Sequence, residues 1–230
     1  MENDARPTVH PTVHPTILLS GFEPFGGERI NPSWQVAEAL DGQVIGGAQV
    51  VAVRLPCVFG AALEALDAAI GRVQPRLVLA LGQAGGRCDF SIERVAINVD
   101  DARIADNAGA SPIDEPVVDG APAGYFSSLP IKAMTAALQA AGLPASVSQS
   151  AGTFVCNHVF FGLMHRLQRQ PGVRGGFMHL PLLPEQAARR PGSPSLPSLP
   201  LATLIDGTRI ALAAALEHRV DVKRSGGSVS

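Results

Sequence analysis

Two short, unbroken apolar runs set the limits on this fold. Thr16-Ile17-Leu18-Leu19-Ser20 and Leu77-Val78-Leu79-Ala80-Leu81 have no polar alternation and are too short for a buried helix. Each reads as a strand covered on both faces, which occurs where helices cross over a parallel sheet. The segments between them keep that rhythm. Asn31-Pro32 predicts an N-cap and first helical residue for a helix to residue 40. A strand over 48–55 and an Ala/Leu-faced helix over 58–73 follow. Residues 90–98 alternate strictly, residues 130–141 read as a helix ended by Gly142, and 145–149 as a strand. A helix over 154–168, a strand over 175–181 and a helix over 201–219 complete the chain. The β-α-β-α order predicts a single-domain three-layer α/β/α sandwich with a largely parallel, partly mixed, twisted sheet. The catalytic or binding unit spans residues 16–219. Residues 1–15, with Pro-Thr-Val-His at 7–10 and again at 11–14, form an expected disordered leader. Residues 191–200 read as a Pro/Ser linker and 220–230 as a disordered tail.

Composition excludes several classes of function. Formal net charge is −2, without a basic stripe, which argues against a nucleic-acid partner or an anionic membrane surface. No apolar run approaches the roughly 20 residues of a membrane-spanning helix, and no secretory signal is expected. Three widely spaced cysteines without a CxxC fit neither a disulfide framework nor a zinc site. A cytoplasmic, reducing setting is expected, with no metal and no cofactor.

The chemistry is expected at Ser150-Ala151-Gly152-Thr153-Phe154-Val155-Cys156-Asn157-His158. Gly152 frees the backbone and Thr153 is placed to cap a helix, which puts Cys156 in its first turn. There, unpaired N–H groups and the helix dipole favour a thiolate. A cysteine in an apolar helix also serves as a small buried hydrophobe, so position alone leaves both readings open.

Thiol catalysis needs an imidazole, usually oriented by a third group. Of six histidines, His10 and His14 lie in the leader and His218 near the end of the last helix. His158 points away from a cysteine two residues earlier, and His165 is two and a half turns off. His179, at a strand's C-terminal end, is left. Glu93 shares a strand face with Val95 and Ile97, where a carboxylate must be paired. An ion pair with an arginine and a catalytic orienter both satisfy that need.

Two further features stand out. Gly21-Phe22-Glu23-Pro24-Phe25-Gly26-Gly27 follows the first strand but lacks the lysine and serine or threonine of a phosphate loop. Its phenylalanines either plug into the core or wall a small pocket. Asp100, Asp101 and Asp106 lack calcium-loop spacing and enclose Arg103, so a hydrogen-bonded loop is expected.

The segments Leu19–Gly27 with Asn31-Pro32, Ser91–Asn98, Asp106–Gly109, Ser150–Asn157, and Gly176–Pro181 with Pro184-Glu185-Gln186 occur in order. Together they closely resemble the pyroglutamyl peptidase I (pyrrolidone-carboxylate peptidase) family of cytoplasmic cysteine exopeptidases. The resemblance implies a Glu93, Cys156 and His179 triad that releases N-terminal pyroglutamyl residues from peptides through a thioester. It also implies that Phe22 and Phe25 flank the lactam ring. The loops near Asn31 and Gln83 would read its N–H and C=O, with Arg103 near the site. The family commonly forms tetramers, so a homo-oligomer is expected. Departures are mild: the family more often has tyrosine at Phe154 and Phe161 and proline at Ala105. Another small cyclic or acyl amide substrate, and a silent ligand-binding protein on this scaffold, are the rival readings.

Overall fold

The structure, a computed structural model, describes residues 15–189 and 196–227. The leader apart from Pro15, the first half of the linker and the last three residues of the tail lie outside the described residues. The elements run β1 (Thr16–Phe22), α1 (Pro32–Leu40), β2 (Val44–Ile45), β3 (Ala48–Leu55), α2 (Ala61–Val73), β4 (Leu77–Gln83) and β5 (Phe90–Glu93). They continue as β6 (Val95–Ile97), β7 (Gly124–Phe126), α3 (Ile131–Ala140), β8 (Ala145–Ser148), α4 (Val155–Leu167), β9 (Arg174–Leu180), α5 (Pro184–Ala187) and α6 (Leu201–Glu217).

Seven strands form one sheet in the order β2-β3-β1-β4-β9-β5-β8. The centre, β3-β1-β4-β9, is parallel; β5 runs antiparallel to β9 and parallel to β8. The unbroken apolar runs are therefore interior strands, as the absence of alternation predicted. Ile17, Leu19, Leu77, Leu79 and Met178 face α1, α3 and α6 through Val36, Leu40, Met134, Leu138 and Leu212. Leu18, Val78, Ala80 and Phe177 face α2 and α4 through Leu66, Ile70, Val159, Phe160 and Leu163. Each such side chain contributes roughly 1.5–3 kcal/mol by leaving water, so the sheet is pinned from both sides.

α1 opens as its sequence dictates, with Asn31 Oδ1 accepting from Ser33 N at 3.0 Å ahead of Pro32. Other expectations need correction. The alternating stretch 90–98 is not one strand. At Arg94 the chain leaves the large sheet, and β6 pairs with β7 in a separate two-stranded sheet. Ala96 is the buried residue of β6, while Val95 and Ile97 are only half-buried, so the inward face changes where the sheet does. A period of two persists across such a switch and cannot reveal it. The proline- and glycine-rich segment 111–128 supplies β7. α2 begins at residue 61 because Gly60, at φ 73°, stops it from starting earlier. Within the described part of the tail, Asp221 accepts from Lys132 N and Ala133 N at the start of α3. Gly226 O accepts from Arg94 Nη2.

Phe22, Gln83 and His179 stand at or next to the C-terminal ends of β1, β4 and β9. That edge is where open parallel sheets bind ligands.

Candidate active site

α4 starts after a turn that Gly152 makes at φ 79°, a left-handed conformation that side chains resist. Thr153 does not cap the helix. Its Oγ1 donates to Asp101 O at 2.7 Å, and Asp101 N donates back to Thr153 O, so it fastens the turn to the aspartate loop. Phe154 occupies the N-cap position without a side-chain cap. The first N–H groups of α4 are therefore left to face the site.

Cys156 is half-buried and projects over β4. A Cβ added to Gly82 would lie 2.9 Å from its Sγ, so the sulfur occupies space that only glycine leaves open. Gly82 is the register partner of His179 on β9, and partners in a parallel pair project to the same face. The thiol and imidazole thus share one face over adjacent strands. The strand that feeds α4, β8, is separated from β9 by β5.

Ser91 lies opposite His179, and Glu93, two residues on, returns to the same face. Its Oε1 accepts from His179 Nδ1 at 2.7 Å, which leaves Nε2 as the basic nitrogen. Glu93 is completely buried. Both needs of that carboxylate are met at once, because Arg87 Nη1 donates to the same oxygen at 2.7 Å. Arg87 escaped the sequence reading; its only signal was a cation in a glycine-rich loop beyond a buried strand.

Burial, then Cys57 and Glu93, push the Cys156 thiol up, and Arg87 opposes them. Burial also pushes the His179 imidazole down against its Glu93 hydrogen bond and charge, with Arg87 adding to the depression. Both favour a resting thiol and neutral imidazole, so of the two readings left open by helix position, burial opposes the thiolate. Cys57 itself is deeply buried, and desolvation, then Glu23 and Asp106, push it up to about 12.

The loops around the sulfur interlock. Glu23 Oε1 accepts from Cys57 N at 3.1 Å and from Asn107 Nδ2 at 2.8 Å, and Asn107 N donates to Cys57 O. Asp106, in the polar loop, accepts from Phe59, Ala108 and Ala110 N–H groups. Desolvation raises its pKa, but the N–H groups of Phe59, Ala110, Ala108 and Gly109 outweigh it, so the carboxyl lies below the usual carboxylate range. Asp100 Oδ2 accepts from His158 Nδ1 at 2.7 Å, and His158 Nε2 accepts from Gly60 N, so His158 does point away from Cys156. The helix's Asn157, which the sequence reading passed over, clamps β6 through Ile97 N, Ile97 O and Val99 O.

The two phenylalanines of the first loop divide between the alternatives left open above. Phe22 ends β1, is 2% exposed and packs toward Phe177, whose ring centre is 4.9 Å from that of His179. Phe25 is half-buried, 5.9 Å from Phe154, which meets Phe59 edge-on at 5.4 Å. Phe59 is the aromatic that the sequence did not single out. Asn31 spends its side chain on Ser33 and on Glu23 O. Gln83 Oε1 accepts from Gln186 Nε2 at 2.9 Å. Arg103 is exposed, beyond the segment that Thr153 holds.

The family model described as pyroglutamyl peptidase matches residues 15–218. A pyrrolidone-carboxylate peptidase of Cupriavidus taiwanensis is 62% identical over 215 residues, 93% of this chain and 98% of the relative. One from Klebsiella pneumoniae is 61% identical over 212 residues, 92% and 98% of the two chains. The crystal structure of pyroglutamyl peptidase I from Bacillus amyloliquefaciens superposes with a TM-score of 0.89 at 44% identity, over 92% of this chain and all of that one. A mutant pyrrolidone carboxyl peptidase from Pyrococcus furiosus gives 0.85 at 42% identity, over 88% and 98%. With the match running from the first strand to the last helix, this chain belongs to the pyroglutamyl peptidase family.

Proposed function

We propose that this protein is a cysteine exopeptidase that removes N-terminal pyroglutamyl residues from peptides. The observation that carries the reading is the Glu93–His179 hydrogen bond on the sheet face that the Cys156 sulfur covers. His179 Nε2 takes the thiol proton as Cys156 Sγ attacks the carbonyl carbon attached to the lactam ring. The unbonded N–H groups at the start of α4 receive the oxyanion. Collapse of the tetrahedral adduct breaks the peptide C–N bond, and the imidazolium gives its proton to the leaving amine. Water, deprotonated by His179, then hydrolyses the thioester and returns the thiol. Glu93 keeps the ring turned and its Nδ1 protonated throughout.

Phe25 and Phe22 supply the wall and the floor of a slot for the flat, uncharged lactam. The loops at Asn31 and Gln83 shape the end that reads its N–H and C=O, and Arg103 supports the rim. An N-terminal glutamine or glutamate would have to bury an ammonium in that slot, at a cost several times that of a neutral amide. The reading also includes a homotetramer, after the habit of the family, and a cytoplasmic setting, which suits a nucleophilic thiol. Among the described residues no helix is long and apolar enough to cross a membrane.

The test is fluorophore release from pyroglutamyl, prolyl and glutaminyl conjugates by wild type, Cys156→Ser and Cys156→Ala. Only the pyroglutamyl conjugate should turn over, and both variants should lose nearly all of that activity. Turnover retained in either variant rules out Cys156 as the nucleophile.

A further inference from the structure

Arg87 makes more contacts with the catalytic apparatus than a surface arginine needs. It lies in the loop between β4 and β5, with its side chain about a third exposed, yet its guanidinium reaches inward to three acceptors. Nη1 donates to Glu93 Oε1 at 2.7 Å and to Ser148 Oγ at 3.1 Å. Nη2 donates to Ser150 O at 2.8 Å. Ser148 is the register partner of Glu93, and Ser150 opens the turn that leads to Cys156. Ser150 Oγ then accepts from Gly152 N at 3.1 Å, which carries the connection into the left-handed residue ahead of the helix. A continuous chain of hydrogen bonds therefore joins the carboxylate behind His179 to the backbone that presents the sulfur.

We propose that Arg87 is a positioning residue for this reaction, fixing the Glu93 carboxylate and the turn before Cys156 as one rigid unit. Lysine cannot replace it. The planar fork serves three acceptors at once, whereas an ammonium is a point charge that would reach the carboxylate or the turn. The charge has a second consequence. Glu93 is fully buried, its Oε2 has no partner among the described residues, and its Oε1 accepts from both Arg87 and His179. The guanidinium charge beside the carboxylate opposes a proton on His179. Without it, the pair is best neutralised by a proton on His179. The charged or titratable groups around that ring are Glu93 from β5, Arg87 from the loop and Cys156 from α4. β4 presents only Gly82 there. Consistent with this, Arg87 contributes to holding the imidazole below the ordinary histidine range.

The inference rests on the proposed triad, and Cys156→Ala run in the same assay tests that triad separately. The experiment compares wild type, R87K and R87Q by kcat, KM, the pH dependence of kcat, and thermal melting. R87Q should lower kcat roughly 10- to 100-fold, the worth of one or two charge-assisted hydrogen bonds, with little change in KM. Its acidic limb should move to higher pH, because the imidazolium persists where the wild type already has a free base. R87K should return the limb toward wild type while recovering only part of kcat. Wild-type kcat and limb in R87Q overturn the inference. So does a fall in kcat that tracks melting temperature with an unmoved limb, because that pattern belongs to a purely structural arginine. Should R87Q fail to fold, R87K decides alone: kcat equal to wild type refutes the rigid unit. If Cys156→Ala retains turnover, it is the triad that fails.

Discussion

Gly82→Ala is the smallest change that should disable the site without replacing a catalytic group. The added Cβ would sit 2.9 Å from Cys156 Sγ and 2.7 and 2.9 Å from Cζ and Cε1 of Phe177. Ordinary contacts lie between about 3.5 and 4.0 Å, so the sulfur must retreat by roughly half an ångström to an ångström. The Phe177 ring cannot yield freely, since it is packed against Phe22, Phe160 and His179. Overpacking of this kind costs about 1–3 kcal/mol. For a chain of this size that is a fall in melting temperature of roughly 2–12 °C. The effect on chemistry should be larger, because a misplacement near 1 Å at a reacting atom costs on the order of 100-fold in rate. Gly82 is also the register partner of His179, so any backbone movement that relieves the contact shifts the imidazole as well. The measurement is kcat/KM on a pyroglutamyl fluorophore conjugate beside a thermal melt. A folded Gly82→Ala protein with wild-type kcat/KM would refute the placement of the sulfur over β4.

Two other expectations follow from the same geometry. Glu93→Gln keeps an acceptor for Arg87 or His179 but loses the charge, and should lower kcat roughly 10- to 100-fold. His179→Ala removes the base itself and should cost roughly 10³- to 10⁴-fold, so equal losses would make orientation as important as proton transfer. The Asp106 carboxyl, held low by backbone N–H groups, stabilises the fold above the ordinary carboxylate pKa, and that contribution is lost as pH falls through its depressed folded value. Urea unfolding of Asp106→Ala should show a loss of about 1–3 kcal/mol at pH 7, because the N–H groups of Phe59, Ala108 and Ala110 lose their acceptor. The difference from wild type should shrink on acidification, and a constant difference would mean that the loop does not depend on the carboxylate's charge.

The parallel centre of the sheet was readable because Ile17–Leu19 and Leu77–Leu81 need cover on both faces. The first turn of α1 was readable because Asn31-Pro32 carries its own capping chemistry. His179 could be reached by excluding histidines on the wrong face or the wrong element. What could not be read depends on contacts distant in sequence. Arg87 and Glu93 are six residues apart, but the other acceptors of the guanidinium lie 61 and 63 residues on. Gly82 looks like any strand glycine until α4 is laid across it. The break at Arg94 is invisible to periodicity because both segments are strands. The two readings of Cys156 stayed open because the helix end is visible in the sequence and the burial that opposes a thiolate is not.

The strand order carries a consequence for how the protein comes to be active. β9 is the last strand in the chain, yet it lies in the middle of the sheet between β4 and β5. Until it arrives, each of those strands has an open edge, and the two flanks of the sheet have nothing to join them. Glu93 and Cys156 are synthesised earlier and wait for a partner carried on that final insertion. A growing chain is thus inert toward peptides around it until the fold is nearly closed, and a product truncated before residue 174 would be both inactive and prone to self-association.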